Sequence, residues 1–220
     1  DNIPFFMPNT YSITVPENMA VGDSVFSLTA TDMDVGPNAD LTYSVQAGQD
    51  SEYFYMDSML ESGAGVLKIQ KVIDYDTMLS HTLTVTVRVE DPLGTSGGHN
   101  DEATVTMTIT DVNDNPPVIS PAVFTANYSE DMAVGTIIMD FSAEDDDTGE
   151  HANFEFYIDY ENTDPNKVFG VNRETGEVRL RNNLDYETQS MHTVHLLAID
   201  RGEEPQTGTA TLQIYVEDIN

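Results

Sequence analysis

Five acidic landmarks occur twice in this chain, in the same order and at nearly the same interval. Glu17, in Pro-Glu-Asn, returns as Glu130, in Ser-Glu-Asp, 113 positions on. Asp32-Met33-Asp34-Val35-Gly36 returns as Asp145-Asp146-Asp147-Thr148-Gly149 at the same interval. Asp74-Tyr75-Asp76-Thr77 returns as Asp185-Tyr186-Glu187-Thr188 at 111, and Asp91 as Asp200 at 109. Asp111-Val112-Asn113 returns as Asp218-Ile219-Asn220 at 107. A shrinking interval is what a few deletions in surface loops leave behind. The duplication calls for two homologous domains of about 110 residues each, a usual domain size. We place them at 1–113 and 114–220, joined by a linker at 111–117.

Within each copy the dominant period is two. Thr82–Val89 alternates polar and apolar residues, as do Thr104–Thr110 and Thr209–Val216, which is the pattern of a strand with one buried face. Shorter strands are expected at Tyr11–Val15, Ser24–Ala30, Leu41–Val45 and Val66–Ile69. Their counterparts fall at Phe124–Tyr128, Thr136–Ser142, Phe154–Ile158 and Glu177–Leu180. Gly, Pro, Asn and Asp fill the gaps, and no long amphipathic helix is legible. About seven short strands per copy predict an all-β chain of two tandem seven-stranded Greek-key sandwiches of immunoglobulin-like type. The acidic landmarks fall in loops and at strand ends, off the alternating faces, where loops from one end of a sandwich can converge.

Asp111-Val112-Asn113-Asp114-Asn115-Pro116-Pro117 lies where the copies meet. It packs hard oxygen donors together and closes with two prolines that stop any continuing strand. Unpaired carboxylates are too costly to bury, so this stretch is either solvated or holds a cation. The formal charge of −31, from 39 acidic and 8 basic residues, repels nucleic acid and anionic membranes and favours divalent metal. There are no cysteines, so disulfides play no part. No apolar run approaches the roughly 18 residues of a membrane span. No signal peptide is legible, and the abrupt start at Asp1-Asn2 is what a piece of a longer protein is expected to look like.

Taken together, Pro-Glu-Asn, Asp-x-Asp-x-Gly, Asp-Tyr-Glu, Ala-x-Asp and Asp-x-Asn-Asp-Asn-Pro-Pro resemble the extracellular cadherin repeat, in two copies covering the whole chain. The resemblance is to long non-classical cadherins of the Fat, Dachsous, tip-link or protocadherin kind. It implies three calcium ions at the junction. Glu17, Asp74, Asp76 and Asp114 would hold the outermost ion. Glu17, Asp76, Asp111, Asp114 and Asp147, with the Val112 carbonyl, would hold the second. Asn113, Asp145, Asp147 and Asp200, with the carbonyls of Asn115 and His151, would hold the third. Calcium takes six to eight oxygens of mixed type, and this set offers them. The resemblance also implies an upstream half-site of Asn2, Asp32, Asp34, Asn38 and Asp91. A downstream half-site would comprise Glu130, Asp185, Glu187, Asp218 and Asn220. Asp76 departs from the family's usual Glu by one methylene, which implies weaker bridging between the first two ions.

The implied role is calcium-dependent cell–cell adhesion, or a force-bearing module, in the extracellular part of a single-pass plasma-membrane protein. The implied partners are flanking repeats of the same chain and a homophilic or heterophilic cadherin, with neither nucleic acid nor direct membrane contact. The chain lacks tryptophan, so strand-swapped adhesion through tryptophan is not expected here. Two rivals stay open at this point: a secreted matrix protein binding many ions loosely, and a carboxylate hydrolase. The pair could also be the adhesive interface itself. An EF-hand is excluded, because a loop opened at Asp32 or Asp145 puts Pro37 or Glu150 where glycine is required and Tyr43 or Phe156 where glutamate must close it. No Gly-x-Ser-x-Gly or zincin pattern occurs. His192 and His195, three apart in a strand-like run, point to opposite faces and cannot share a metal. Asn127-Tyr128-Ser129 is a glycosylation sequon. The threonines at 82, 84, 86, 104, 106 and 108 read as a polar strand face that could also carry O-linked sugar.

Overall fold

The computed structural model describes residues 2–35, 40–59, 63–91 and 99–219, with the backbone alone at 58–59. It divides into two compact units, Asp1–Val112 and Asn113–Asn220, one residue before the boundary placed from sequence.

The described strands of the first unit are β1 (Phe5–Phe6), β2 (Thr10–Pro16), β3 (Ser24–Thr31), β4 (Thr42–Val45), β5 (Phe54–Met59), β6 (Ala64–Ile69), β7 (Thr82–Glu90) and β8 (Asn100–Thr110). A single 3-10 turn at Ser51–Tyr53 precedes β5. One sheet has the order β1-β3-β6-β5, the other β2-β8-β7-β4. The chain crosses between sheets from β3 to β4, β4 to β5 and β6 to β7, as in a Greek-key sandwich. All pairs are antiparallel except β2 with β8, which run parallel from Thr10↔Thr104 to Pro16↔Thr110. That pairing brings the end of β2 beside the end of β8.

The inward rows meet as one core that includes Leu28, Phe54, Leu67, Ile69, Val87 and Met107. Burying each such side chain contributes roughly 1.5–3 kcal/mol relative to exposure. Tyr43 ties the sheets together. Its ring fills the space left by Gly65, where an added Cβ would come within 2.5 Å of it. Its hydroxyl accepts from Ala30 N (2.9 Å) and donates to the Gly63 carbonyl (2.9 Å). The ten methionines, read from sequence as filler, divide between core (Met107) and surface (Met7, Met33).

The second unit repeats this plan with β9 (Val118–Ser120), β10 (Val123–Ser129), β11 (Ile137–Asp140), β12 (Ser142–Glu144), β13 (Phe154–Ile158), β14 (Phe169–Val171), β15 (Glu177–Leu180), β16 (Met191–Asp200) and β17 (Thr207–Glu217). The sheets are β10-β17-β16-β13, β11-β15-β14 and the pair β12-β9. The parallel pair recurs as β10 with β17.

Two features differ from the plain seven-strand expectation. The first strand of each unit is split between sheets, with Pro8 and Pro121 at the switch, where a missing N–H suits a change of partner. The strand expected at Thr136–Ser142 is broken. β11 pairs with β15 and β12 with β9, while buried Phe141 donates its N–H to Gly176 O (3.2 Å). Gly176 has φ +75 and its Cβ would meet Phe141 O at 2.3 Å, so the break depends on that glycine.

Candidate metal centres

Glu17 leaves β2 where Asp111 leaves β8. Glu17 N donates to Thr110 O (3.2 Å), Glu17 Oε1 accepts from Val112 N (2.9 Å), and Oε2 accepts from Tyr75 N. The carboxylate is therefore buried and fixed by two other chain segments at once. Asp74 and Asp76 sit in the turn that carries Tyr75, which is closed by Thr77 N to Asp74 Oδ1 (3.2 Å) and by Tyr75 stacking on His81 (3.6 Å). One oxygen each from Glu17, Asp76 and Asp111 lies within 4.8 Å of the other two. Like charges at such range repel by several kcal/mol in the interfacial dielectric of a protein surface. The donor set is all hard oxygen, which fits a calcium-like cation.

The same arrangement recurs in the second unit. Glu130 N donates to Glu217 O (3.1 Å), Oε1 accepts from Ile219 N (3.2 Å) and Oε2 from Tyr186 N (3.0 Å). Glu130, Glu187 and Asp218 bring one oxygen each within 4.8 Å. Asp185 is held by Thr188, whose hydroxyl (2.7 Å) and N–H (3.0 Å) pull its pKa below the usual carboxylate range. Asn220, assigned to this half-site from sequence, lies outside the described residues.

At the other end of the second unit, Asp145, Asp147 and Asp200 gather around the segment that opens the unit. Asn113 Nδ2 donates to Asp200 Oδ1 (3.1 Å) and Glu204 O (2.8 Å), and its own carbonyl accepts from Gln206 Nε2 (2.7 Å). Asn115 Nδ2 donates to Asp147 Oδ1 (2.8 Å) and Asp114 Oδ1 (2.9 Å). Asp147 N donates to Asp145 Oδ1 (3.0 Å). Gly202 lets Asn113 lie close, since a Cβ there would stand 2.4 Å from its amide. The His151 N–H bonds Thr148 O (3.2 Å), closing the turn that presents its carbonyl.

Asn113 Oδ1, Asp145 Oδ2 and Asp147 Oδ2 are buried and meet no hydrogen-bond donor among the described residues. Buried oxygens in that state are expensive. Burial, with the nearby charges of Asp147, Asp200 and Asp146, pushes the Asp145 carboxyl above its ordinary value. Oxygens that face inward without a donor are what a cation site offers, and the residues present fit a calcium ion.

The first unit has the matching end. Asn2 donates from N to Asp34 Oδ2 (3.0 Å) and from Nδ2 to Asp34 Oδ1 (2.7 Å), and Asp34 N donates to Asp32 Oδ1 (2.8 Å). Asp32 Oδ2 is buried without a donor among the described residues. Asn38 lies outside the described residues. Sequence reasoning missed His99, whose Nδ1 stands 3.0 Å from buried Asp91 Oδ2. The available clue was position. His99 precedes β8 as Gln206 precedes β17, and Gln206 N donates to Asp200 Oδ2 (2.9 Å). The sequon asparagine, Asn127, is exposed on β10, with Nδ2 3.1 Å from Glu217 Oε1.

Comparison with known proteins bears on these sites. A family model described as "Cadherin domain" matches residues 11–110 and 124–217. The chain is 33% identical over 220 residues to the mouse (Mus musculus) Cadherin EGF LAG seven-pass G-type receptor 1. It is 34% identical over 222 residues to human (Homo sapiens) Protocadherin Fat 1. The match takes in the whole chain but spans only 7% of the first relative and 5% of the second. Among solved structures, mouse Cadherin-23 EC22-24 superposes with a TM-score of 0.77 at 27% identity, covering 100% of this chain and 68% of that one. Human Protocadherin-24 EC1-2 does so at 0.74 and 26%, covering 99% of each.

Proposed function

The chain belongs to the cadherin domain family, and from that premise we propose that its two sandwiches are consecutive extracellular repeats fastened by calcium at residues 111–117. Three ions are held. Glu17, Asp74, Asp76 and Asp114 take the outermost. Glu17, Asp76, Asp111, Asp114, Asp147 and the Val112 carbonyl take the second. Asn113, Asp145, Asp147, Asp200 and the carbonyls of Asn115 and His151 take the third. The upstream and downstream half-sites await neighbouring repeats of a longer array in a membrane-anchored protein. The chain performs no catalysis; its acids serve as ligands. Calcium supplies the positive charge that lets these carboxylates stand close, and extracellular modules of this kind bind at roughly 10⁻⁴–10⁻³ M.

The observation that carries this reading is the set of buried oxygens at Asn113, Asp145 and Asp147 that meet no donor among the described residues, lying beside Asp200. Mechanically, ligands drawn from both repeats and from the segment between them make metal binding a joint constraint. Loss of metal leaves mutually repelling carboxylates and a free hinge. The test is a calcium titration with solution scattering on the wild-type chain and on Asp114→Ala. Wild type takes up three ions per chain with cooperativity, and its scattering profile stiffens on binding. Asp114→Ala loses the cooperativity and scatters as a hinged pair even in calcium. Identical profiles for the two proteins would sink the linker reading, and many weak ions without saturation would favour a loose matrix binder.

A further inference from the structure

The hairpin between β16 and β17 is tied shut at its base. Asp200 N donates to Gln206 O (3.1 Å), and Gln206 N donates in return to Asp200 Oδ2 (2.9 Å). In the first unit Asp91 N donates to His99 O (3.3 Å) at the corresponding place. There the closing side chain meets the aspartate itself, with His99 Nδ1 3.0 Å from Asp91 Oδ2. In the second unit the backbone N–H meets that oxygen, and the Gln206 side chain is left for another use.

It reaches the segment that opens the unit. Gln206 Nε2 donates to the backbone carbonyl of Asn113 (2.7 Å). The same hairpin holds the Asn113 side chain, whose Nδ2 donates to Asp200 Oδ1 (3.1 Å) and Glu204 O (2.8 Å). A primary amide has only two N–H donors, so these two bonds fix which way the group faces. Asn113 Oδ1 is turned away from both acceptors, buried and with no donor among the described residues. Asp200 is fixed as firmly. Its Oδ1 also accepts from Gly202 N (3.0 Å), which leaves about one of its four lone-pair sites open to a cation.

We propose that Gln206 is a positioning residue for the third calcium ion. Its amide pins the main chain of Asn113 while Asp200 and Glu204 pin the side chain, so that Asn113 Oδ1 and the Asp200 carboxylate keep one spacing. Without the Gln206 bond the Asn113 peptide can turn and carry its side-chain oxygen with it. Partners that orient ligands in this way matter to metal affinity by about 10–100-fold. All of these groups belong to the second unit. The assignment rests on the calcium reading above.

The test compares wild type, Gln206→Met and Gln213→Met by calorimetric calcium titration and by thermal melts in calcium and in chelator. Methionine matches glutamine in length and neutrality and keeps the backbone N–H to Asp200, so Gln206→Met removes the side-chain donor alone. Gln213 is the control on the same strand, with its side chain at Thr125 (3.3 Å). Gln206→Met should weaken one ion of the three by about 10–100-fold. The rise in melting temperature that calcium gives should shrink with it, because ligand stabilisation follows affinity. Gln213→Met should keep the calcium response of wild type. A Gln206→Met protein that melts lower by the same amount in both buffers, at unchanged calcium affinity, would show a bond that only ties the loop, and the proposal falls. An equal loss of affinity in Gln213→Met overturns it too. A wild type without stoichiometric calcium uptake overturns the function proposed above and this assignment with it, whereas three ions held equally by wild type and Gln206→Met overturn this assignment alone.

Discussion

A carboxylate that accepts two backbone N–H groups is half of a ligand set before any metal arrives, and Glu17 and Glu130 are built alike in this respect. In the proposed site Asp76 reaches one methylene less far than a glutamate would. Asp76→Glu is therefore expected to tighten calcium binding, about tenfold if it adds one bridging contact worth about 1.4 kcal/mol; calorimetric titration decides, and an unchanged affinity would mean the shorter acid already reaches. These acids were legible because they break the strand alternation and recur in register. His192 was legible only in part. The period-two pattern put it opposite His195, and β16 does turn His192 inward and His195 outward. Nothing in the sequence placed its ring edge-on to Phe169 at 5.4 Å, or Asp164 in the core, because burial is a property of the packed sheets.

The His192 site makes a pH prediction with a definite sign. Burial lowers the His192 pKa from 6.5, against an opposing pull from the Asp164 charge. The unfolded chain then binds the proton that the folded chain refuses. Stability is full above about pH 6.5 and falls as pH drops from there toward the folded value, by up to ~1.4 kcal/mol per pH unit. Thermal melts of wild type and His192→Phe between pH 7.5 and 5.5, run in calcium, check it (a window set by the ordinary imidazole range). The variant should show the shallower slope, and equal slopes would mean that His192 titrates alike in both states.

At the scale of elements, the long strands announced themselves and the short ones did not. Thr82–Glu90 and Asn100–Thr110 carry clean alternation, and they form β7 and β8. Phe169–Val171 is only three residues long and has no pattern to read. It persists because tertiary partners cover it. Asp164 accepts from Val168 N (2.9 Å) and Phe169 N (3.0 Å), and the Tyr160 hydroxyl donates to Phe169 O (3.2 Å). Those bonds occupy an edge that would otherwise be open to another chain. Pro117 and Gly208 show the same dependence on packing. A Cβ at 208 would stand 1.7 Å from Pro117 O, whereas one at 170 would meet nothing nearer than 3.6 Å. Gly208→Ala must therefore displace the segment that carries Asn113 and Asn115, destabilising the second unit by about 1–3 kcal/mol. Gly170→Ala should shift the melting temperature little. Calorimetry on the two variants gives the contrast, and a Gly208→Ala protein that melts with wild type would mean the segment can slide without loss.

For the molecule as a whole, the duplication, the all-β class and the gathering of the acids at the ends of the sandwiches were legible, because each is written in intervals and alternation along the chain. The half-buried outward positions of Leu197 and Ile199 on β16 were not, since the two read from sequence as ordinary strand residues until their counterparts Arg88 and Glu90, which form an ion pair, are laid beside them. Net charge supplies the remaining prediction. At −31 the metal-free chain carries repulsion that calcium at the proposed sites would locally cancel, and salt can stand in for part of that cancellation. The Debye length shrinks from about 30 Å at 0.01 M to about 8 Å at 0.15 M ionic strength. Adding sodium chloride over that range should raise the melting temperature of the chelated protein by several degrees, a shift corresponding to about 1 kcal/mol in a domain of this size. The calcium-loaded protein should move much less, because its closest carboxylates are already paired with metal. The difference between the two salt responses is the quantity to measure. If salt stabilised both forms equally, the repulsion relieved would be diffuse surface charge, and the carboxylates gathered at Glu17 and Asp147 would not be the groups that calcium holds.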